Sequence, residues 1–249
     1  MSTPRLFVGT LFCGEAEVEE CRTAILSQEG VRVTHHIIEN QPEFSAHTML
    51  WQAWGENRDA HDLFVKIDAD TILNRPTALA EIAALFKTPE ITGAQILLHD
   101  YFTDDLIAGL NAFSKSVQFR ASRSRLFADH ADFGHQTVLK GESVAHLAPI
   151  GWHCRNPHPY QAFHYGFHRA MKKQKDVLAK CARVWREKPD QGREWALAGA
   201  ASAHWWHRRS MDYGNSALQA LFARLQDDGE RRKKVLDYAE RVINREAKR

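Results

Sequence analysis

The sequence predicts an α/β fold in which a mostly parallel sheet is covered by helices and followed by a helical carboxyl-terminal region. Three observations carry that expectation. In the first hundred residues, short apolar runs alternate with helical patterns, as parallel strands joined by crossover helices do. The third of these runs, over 63–72, ends in two carboxylates one residue apart, Asp68 and Asp70. From Tyr160 onward the periodicity is helical throughout. A chain of 249 residues buries roughly 75% of its unfolded surface, so one sizeable core forms without staples.

Residues 6–10 read as the first strand. A helix follows over 15–28, with acids in its first turns, apolar positions Val18, Cys21 and Ile25, and Gly30 as its stop. The second strand, 31–39, closes at Glu39-Asn40-Gln41-Pro42, where proline ends pairing. A helix over 44–54 carries Met49, Leu50 and Trp54. Residues 62–67 are the third strand, Pro76 opens a helix through Leu79, Ile82, Leu85 and Phe86, and 91–99 form the fourth strand. Beyond residue 100 the pattern weakens: 105–113 reads as a short helix, 116–120 as a strand, and 121–149 as loops and short strands rich in Arg, Asp and His. Helices then occupy 160–186, 193–209 and 214–246, with a break near Asp228-Gly229. No repeat or low-complexity linker intervenes. The expected organisation is an α/β domain over 1–186 and a helical extension over 187–249 packed on it.

Composition narrows the function classes. With 44% apolar and 26% charged residues the chain is globular, and no segment approaches the ~20 apolar residues that span a bilayer. The first apolar run is interrupted by Gly9 and Thr10 and lacks the features of a secretory signal. Cys13, Cys21, Cys154 and Cys181 show no close paired spacing, which argues against a zinc-finger or disulfide framework and for reduced thiols in a cytoplasm. A net charge of +2 is too near neutral for a nucleic-acid binder. The basic excess lies late, at Lys172, Lys173, Lys175 and Lys180 and in a tail that includes Arg231, Arg232, Lys233 and Lys234. That tail is either a solvated helix face or a cationic surface for peripheral contact with a membrane.

On an extended strand Lys66, Asp68 and Asp70 point one way and Val65, Ile67 and Ala69 the other, which delivers two carboxylates to one side of a strand end. Carboxylates so placed repel unless a proton or a divalent cation lies between them, and hard cations favour oxygen ligands. The alternative is that both aspartates cap the following turn. In open parallel sheets ligands bind beyond the carboxyl ends of strands, so Gly9, Thr10 and Glu39 would share a crevice with the aspartates, Glu39 accepting hydrogen bonds from a ribose or base. His153 ends a short apolar run before Asn156-Pro157 and could complete a carboxylate site suited to Mn2+ or Mg2+. His164 and His168 lie on one flank of a helix; they pack beside it, bind zinc, or line a phosphate or sugar pocket with Arg169 and Lys172.

The order LFVGT at 6–10, a helix, a strand ending Ile38-Glu39-Asn40, then Val65-Lys66-Ile67-Asp68-Ala69-Asp70-Thr71 resembles glycosyltransferases of the GT-A (Rossmann-like) fold, in which a DxD motif holds the divalent ion of a nucleotide-sugar. His99-Asp100-Tyr101-Phe102 and Gly151-Trp152-His153-Cys154 add to the likeness, which spans about residues 5–170. The resemblance implies that 1–186 is a nucleotide-sugar-binding catalytic domain. It places Thr10 and Glu39 at the nucleoside, Asp68 and Asp70 at ribose, metal and diphosphate, His153 in the metal shell, and Lys66 nearby as an assisting cation. The ion would be Mn2+ or Mg2+, the acceptor a glycan or lipid-linked sugar in bacterial surface polysaccharide synthesis, and the location the cytoplasm, including the inner face of the membrane. The family's Glu-Asp pair after the acceptor loop does not appear; of Asp129, Asp132 and Glu142, Asp132 is the favoured catalytic base. A nucleotidyltransferase uses a similar carboxylate-held metal, but the acidic Phe12-Cys13-Gly14-Glu15 segment disfavours it. A non-catalytic module with Trp205 and Trp206 at a partner interface is the third reading.

Overall fold

The computed structural model describes residues 2–120, 137–206 and 211–246, the side chains of 242–246 excepted. The chain divides into two compact units, one of residues 1–101 and 105–155, the other of 102–104 and 156–249. The helical unit therefore starts at residue 156, and the helices over 159–187 group with it.

In the first unit β1 (Arg5–Phe12) pairs in parallel with β2 (Arg32–Glu39) and β3 (Leu63–Lys66). The helices α1 (Val18–Leu26), α2 (Glu43–Asn57) and α3 (Ala78–Leu85) make the connections around them. The remaining strands are β4 (Thr71–Leu73), β5 (Gly93–Asp100), β6 (Asp105–Ser114), β7 (Val138–Leu139) and β8 (Gly151–His153). Among the described residues the sheet runs β2-β1-β3-β6-β5-β8-β4, with β7 also beside β5.

This sheet is mixed, which corrects the expectation of a mostly parallel one. The causes are β4, which pairs antiparallel with β8, and β6, whose residues read as a helix in sequence. Leucine and alanine favour a helix there, but the segment follows β5 after a turn in which Asp104 holds φ at 51°, and it returns antiparallel to β5 and β3. Gly109 fits the resulting hairpin closely, since a Cβ there would lie 2.6 Å from Leu98 Cδ1.

The period of two along each strand sorts the core. Leu6, Val8, Leu63, Val65, Ile96, Leu98, Leu110 and Ala112 face one cluster with Cys21 and Ile25 of α1 and Leu79 and Ile82 of α3. Phe7, Phe64 and Phe113 face the other with Leu50, Trp51 and Trp54 of α2. Gly9 belongs to this packing: a Cβ would lie 2.3 Å from Leu50 Cδ1. Its missing side chain admits α2.

The second unit comprises α4 (Pro159–Met171), α5 (Lys175–Glu187), α6 (Gln191–Ala203), α7 (Ser216–Asp227) and α8 (Gly229–Glu246). The helix expected over 160–186 is two helices. Lys173 takes φ 56° and the Gln174 amide donates to Arg169 O at 2.9 Å, a helix stop of the Schellman type. The chain restarts at α6 with Asp190 accepting from the Arg193 amide at 2.9 Å. Helix α6 is buried from Trp195 to Ala203, as a central helix must be. It crosses α4 at two glycines. A Cβ on Gly166 would lie 1.7 Å from Ala196 O, and one on Gly199 would lie 1.9 Å from Phe163 O. No described helix is long and apolar enough to cross a membrane.

Candidate metal centre

Strand β3 ends at Lys66, yet main-chain pairing with β1 continues through Ile67 N to Gly9 O (3.0 Å) and Ala69 N to Leu11 O (3.3 Å). Ile67 and Ala69 are buried, so the aspartates between and after them turn away from the core. The chain then turns, with Thr71 N donating to Asp68 O at 2.9 Å, and enters β4. Strand β8 lies between β4 and β5, placing His153 opposite Thr71 on one side and Asp100 on the other. Three segments distant in sequence thus deliver Asp70, Asp100, His153 and Cys154 to one place.

Asp100 is fully buried, and its Oδ1 lies 2.7 Å from His153 Nδ1. A carboxylate only accepts, so Nδ1 carries the proton and donates, and the lone pair of a neutral ring sits on Nε2. That nitrogen is 3.7 Å from Asp70 Oδ2 and 3.8 Å from Cys154 Sγ. The Cys154 thiol donates to Asp70 Oδ2 at 2.9 Å, and the three potential ligand atoms lie within 4.8 Å of one another. Asp70 Oδ1 is buried with no hydrogen-bond partner among the described residues. A carboxylate oxygen, an imidazole nitrogen oriented by a second carboxylate, and an unsatisfied buried oxygen suit a divalent cation.

The surrounding charges are uneven. Burial opposes the charge on Asp68, but Lys66 Nζ, 2.5 Å from Asp68 Oδ1, holds this carboxyl below its usual value, with His47 and His153 adding to the effect. Asp68 is engaged by lysine and lies outside the group formed by Asp70, His153 and Cys154. Glu15, whose Oε2 accepts from the Cys13 amide at 2.7 Å, is pushed up to about 7 by burial and then by Asp70. The thiols of Cys21 and Cys154 are raised by burial and by Asp70, and so are held as neutral donors.

Thr10 and Glu39 lie near the carboxyl ends of adjacent strands. The Thr10 hydroxyl is buried and 2.9 Å from His35 Nε2, while Glu39 is exposed at the end of β2. Burial, together with Arg22 and His36, lowers the His35 pKa to about 4, so its ring is neutral beside Thr10. Asp132 and Asp129 lie outside the described residues; Glu142 is exposed in a 3-10 turn over 141–147. His158 and His164 serve the helical unit. His158 Nδ1 accepts from the Gln161 amide (3.2 Å), which leaves Nε2 to donate to Tyr213 OH (2.9 Å), and His164 Nε2 donates to Met211 O (2.7 Å). Arg169 stacks over Tyr165 and bonds Gln174. Sequence reasoning missed Asp100, Cys154 and Glu15 as parts of the site. The first two stood in the motifs around residues 99–102 and 151–154, next to residues that were singled out.

No family model and no curated protein matches the sequence. Among solved structures, the chain is similar to the mannosyltransferase PcManGT from Pyrobaculum calidifontis in complex with GDP-Man and Mn2+. The identity is 14% and the TM-score 0.46, over 97% of this chain and 86% of that one. It is also similar to a glycosyltransferase involved in glycosylation of the major capsid of PBCV-1, at 14% identity and a TM-score of 0.31 over 44% of this chain. In that case the chain spans 60% of the other protein's length.

Proposed function

We propose that the protein is a metal-dependent glycosyltransferase that moves a sugar from a nucleotide-sugar donor to a glycan or lipid-linked acceptor, in bacterial surface polysaccharide synthesis. The observation that carries this reading is the pairing of Asp70, with its unsatisfied buried oxygen, and a His153 ring that Asp100 orients with Nε2 toward it. Asp70 and His153 would hold Mn2+ or Mg2+, with Asp68 beside them. The bound ion supplies Lewis-acid stabilisation of the charge that accumulates on a departing nucleoside diphosphate. Lys66 restrains Asp68 and adds positive charge near the phosphates. Thr10 and Glu39 flank the nucleoside. Asp132 is the proposed base that takes the acceptor hydroxyl's proton. The exposed basic residues at the start of α8, Arg231, Lys233 and Lys234, would rest on an anionic membrane surface where the acceptor is lipid-linked.

Thermal shifts with Mn2+ and a panel of nucleotides test the reading. Stabilisation by a nucleoside diphosphate or its sugar only when metal is present is the expected result; a preference for triphosphates would replace glycosyl with nucleotidyl transfer. Asp70→Ala should abolish donor turnover while leaving the fold intact. The main-chain bond from Cys154 N to Asp70 O (2.8 Å) survives the change, and repulsion with Glu15 is relieved. Turnover at the wild-type rate in that variant would refute the assignment.

A further inference from the structure

We propose that Cys154 is a third protein ligand of this cation, completing with Asp70 and His153 an oxygen, nitrogen and sulfur set that favours Mn2+, and still more the thiophilic Co2+ and Zn2+, over Mg2+. The inference rests on the cation site proposed above and deepens it.

Consecutive residues of a strand face opposite ways, so His153 and Cys154 should not share a partner. They do, because Cys154, just past the end of β8, takes φ 52°, the left-handed region that residues other than glycine rarely enter. Such conformations persist where the surroundings impose them, and they gather at functional sites. Here the Cys154 amide is fixed to Asp70 O at 2.8 Å, and its thiol turns back onto Asp70 Oδ2. The oxygen, nitrogen and sulfur form a triangle with edges of 2.9, 3.7 and 3.8 Å. Tetrahedral oxygen, nitrogen and sulfur ligands at the usual zinc distances have edges of about 3.3–3.6 Å, so the two longer edges must close by about 0.3 Å and the shortest must open by about 0.6 Å. Thiolate favours zinc and cobalt, while Mg2+ demands an octahedral shell of oxygens. On binding, the Cys154 S–H bond breaks, its proton passes to solvent, a sulfur–metal bond forms, and Asp70 Oδ2 exchanges its hydrogen bond for the cation. Of the other thiols, Cys21 donates to Asp68 O and Cys13 to Gln41 O, each at 3.6 Å, and Cys181 is buried on α5.

The test is titration of the full-length, metal-stripped protein with Co2+, followed by absorption spectroscopy. A thiolate-to-cobalt charge-transfer band is expected in the wild type and in Cys21→Ser. In Cys154→Ser it should disappear, with Co2+ binding weakened by about tenfold or more. Co2+ binding without that band, or a band that survives in Cys154→Ser, would overturn the sulfur ligand and leave the Asp70–His153 site standing. No Co2+ binding at all would overturn both. If Cys154→Ser does not fold, X-ray absorption at the zinc edge of the wild type decides the matter: one sulfur neighbour supports the proposal, and none refutes it. Thermal shifts with nucleoside diphosphates and Mn2+ read the proposed donor binding separately from the identity of the sulfur ligand.

Discussion

At Asp100 one carboxylate, shut off from solvent, fixes which nitrogen of His153 meets Asp70. Asp100→Asn keeps the shape but replaces a charged acceptor with a neutral amide, which lowers the basicity of Nε2. Metal affinity should fall by about 10- to 100-fold, read by Mn2+ titration, while the thermal midpoint of the metal-free protein changes little. The aspartates at 68 and 70 were legible in the sequence because their strand announces itself by an apolar run. Asp100 was not. It becomes the partner of a histidine 53 residues away only when β8 docks beside β5, and no local periodicity encodes that docking. Glu15 escaped for a similar reason: in sequence it is an acid before a helix, and only the folded chain brings it under the influence of Asp70.

The strands β1, β2, β3 and β5 and the break between α7 and α8 were readable from period and punctuation. Strand β6 was not, since its leucines and alanines satisfy a helical pattern and its identity as a strand comes from pairing with β3 and β5. The close crossing of α4 and α6 was equally hidden, because Gly166 and Gly199 signal only a weak helix until the facing carbonyls are known. Either Gly166→Ala or Gly199→Ala would push a methyl group into main-chain atoms that cannot yield without moving a helix. Each should destabilise the protein by about 3 kcal/mol or more, seen as a lower urea midpoint with an unchanged slope. A loss under about 0.5 kcal/mol would mean that the helices separate more easily than this packing implies.

Stability across pH is a property of the whole molecule, and Glu15 gives it a distinctive slope. Its carboxyl, raised from the ordinary 4.5 to about 7, keeps its proton in the native state at pH values where the unfolded chain has lost it. Stability from this group is therefore complete below pH 4.5 and drains away as pH rises through 7, by up to about 3 kcal/mol in metal-free buffer. Asp62, Asp68 and Glu81 are held low and act in the opposite sense, losing their contribution as pH falls below the usual carboxylate range. His35, lowered from 6.5 to about 4, also acts in this opposite sense as pH falls below 6.5. The Glu15 decline is therefore superposed on an opposing rise and is read as the difference between wild type and variant in metal-free buffer. Glu15→Gln should flatten the decline between pH 5 and 7, a comparison that chemical denaturation at several pH values makes directly.

Gly151 lies two residues before His153, where a methyl group would collide with the Ile72 carbonyl at 2.5 Å. Only this alignment of β8 against β4 seats a residue without a side chain at that spot; sliding by one position would drive Ile150 or Trp152 into the carbonyl and turn every donor to the opposite face. A residue with no chemistry of its own thereby acts as an index mark, deciding which side chains the molecule presents to a cation.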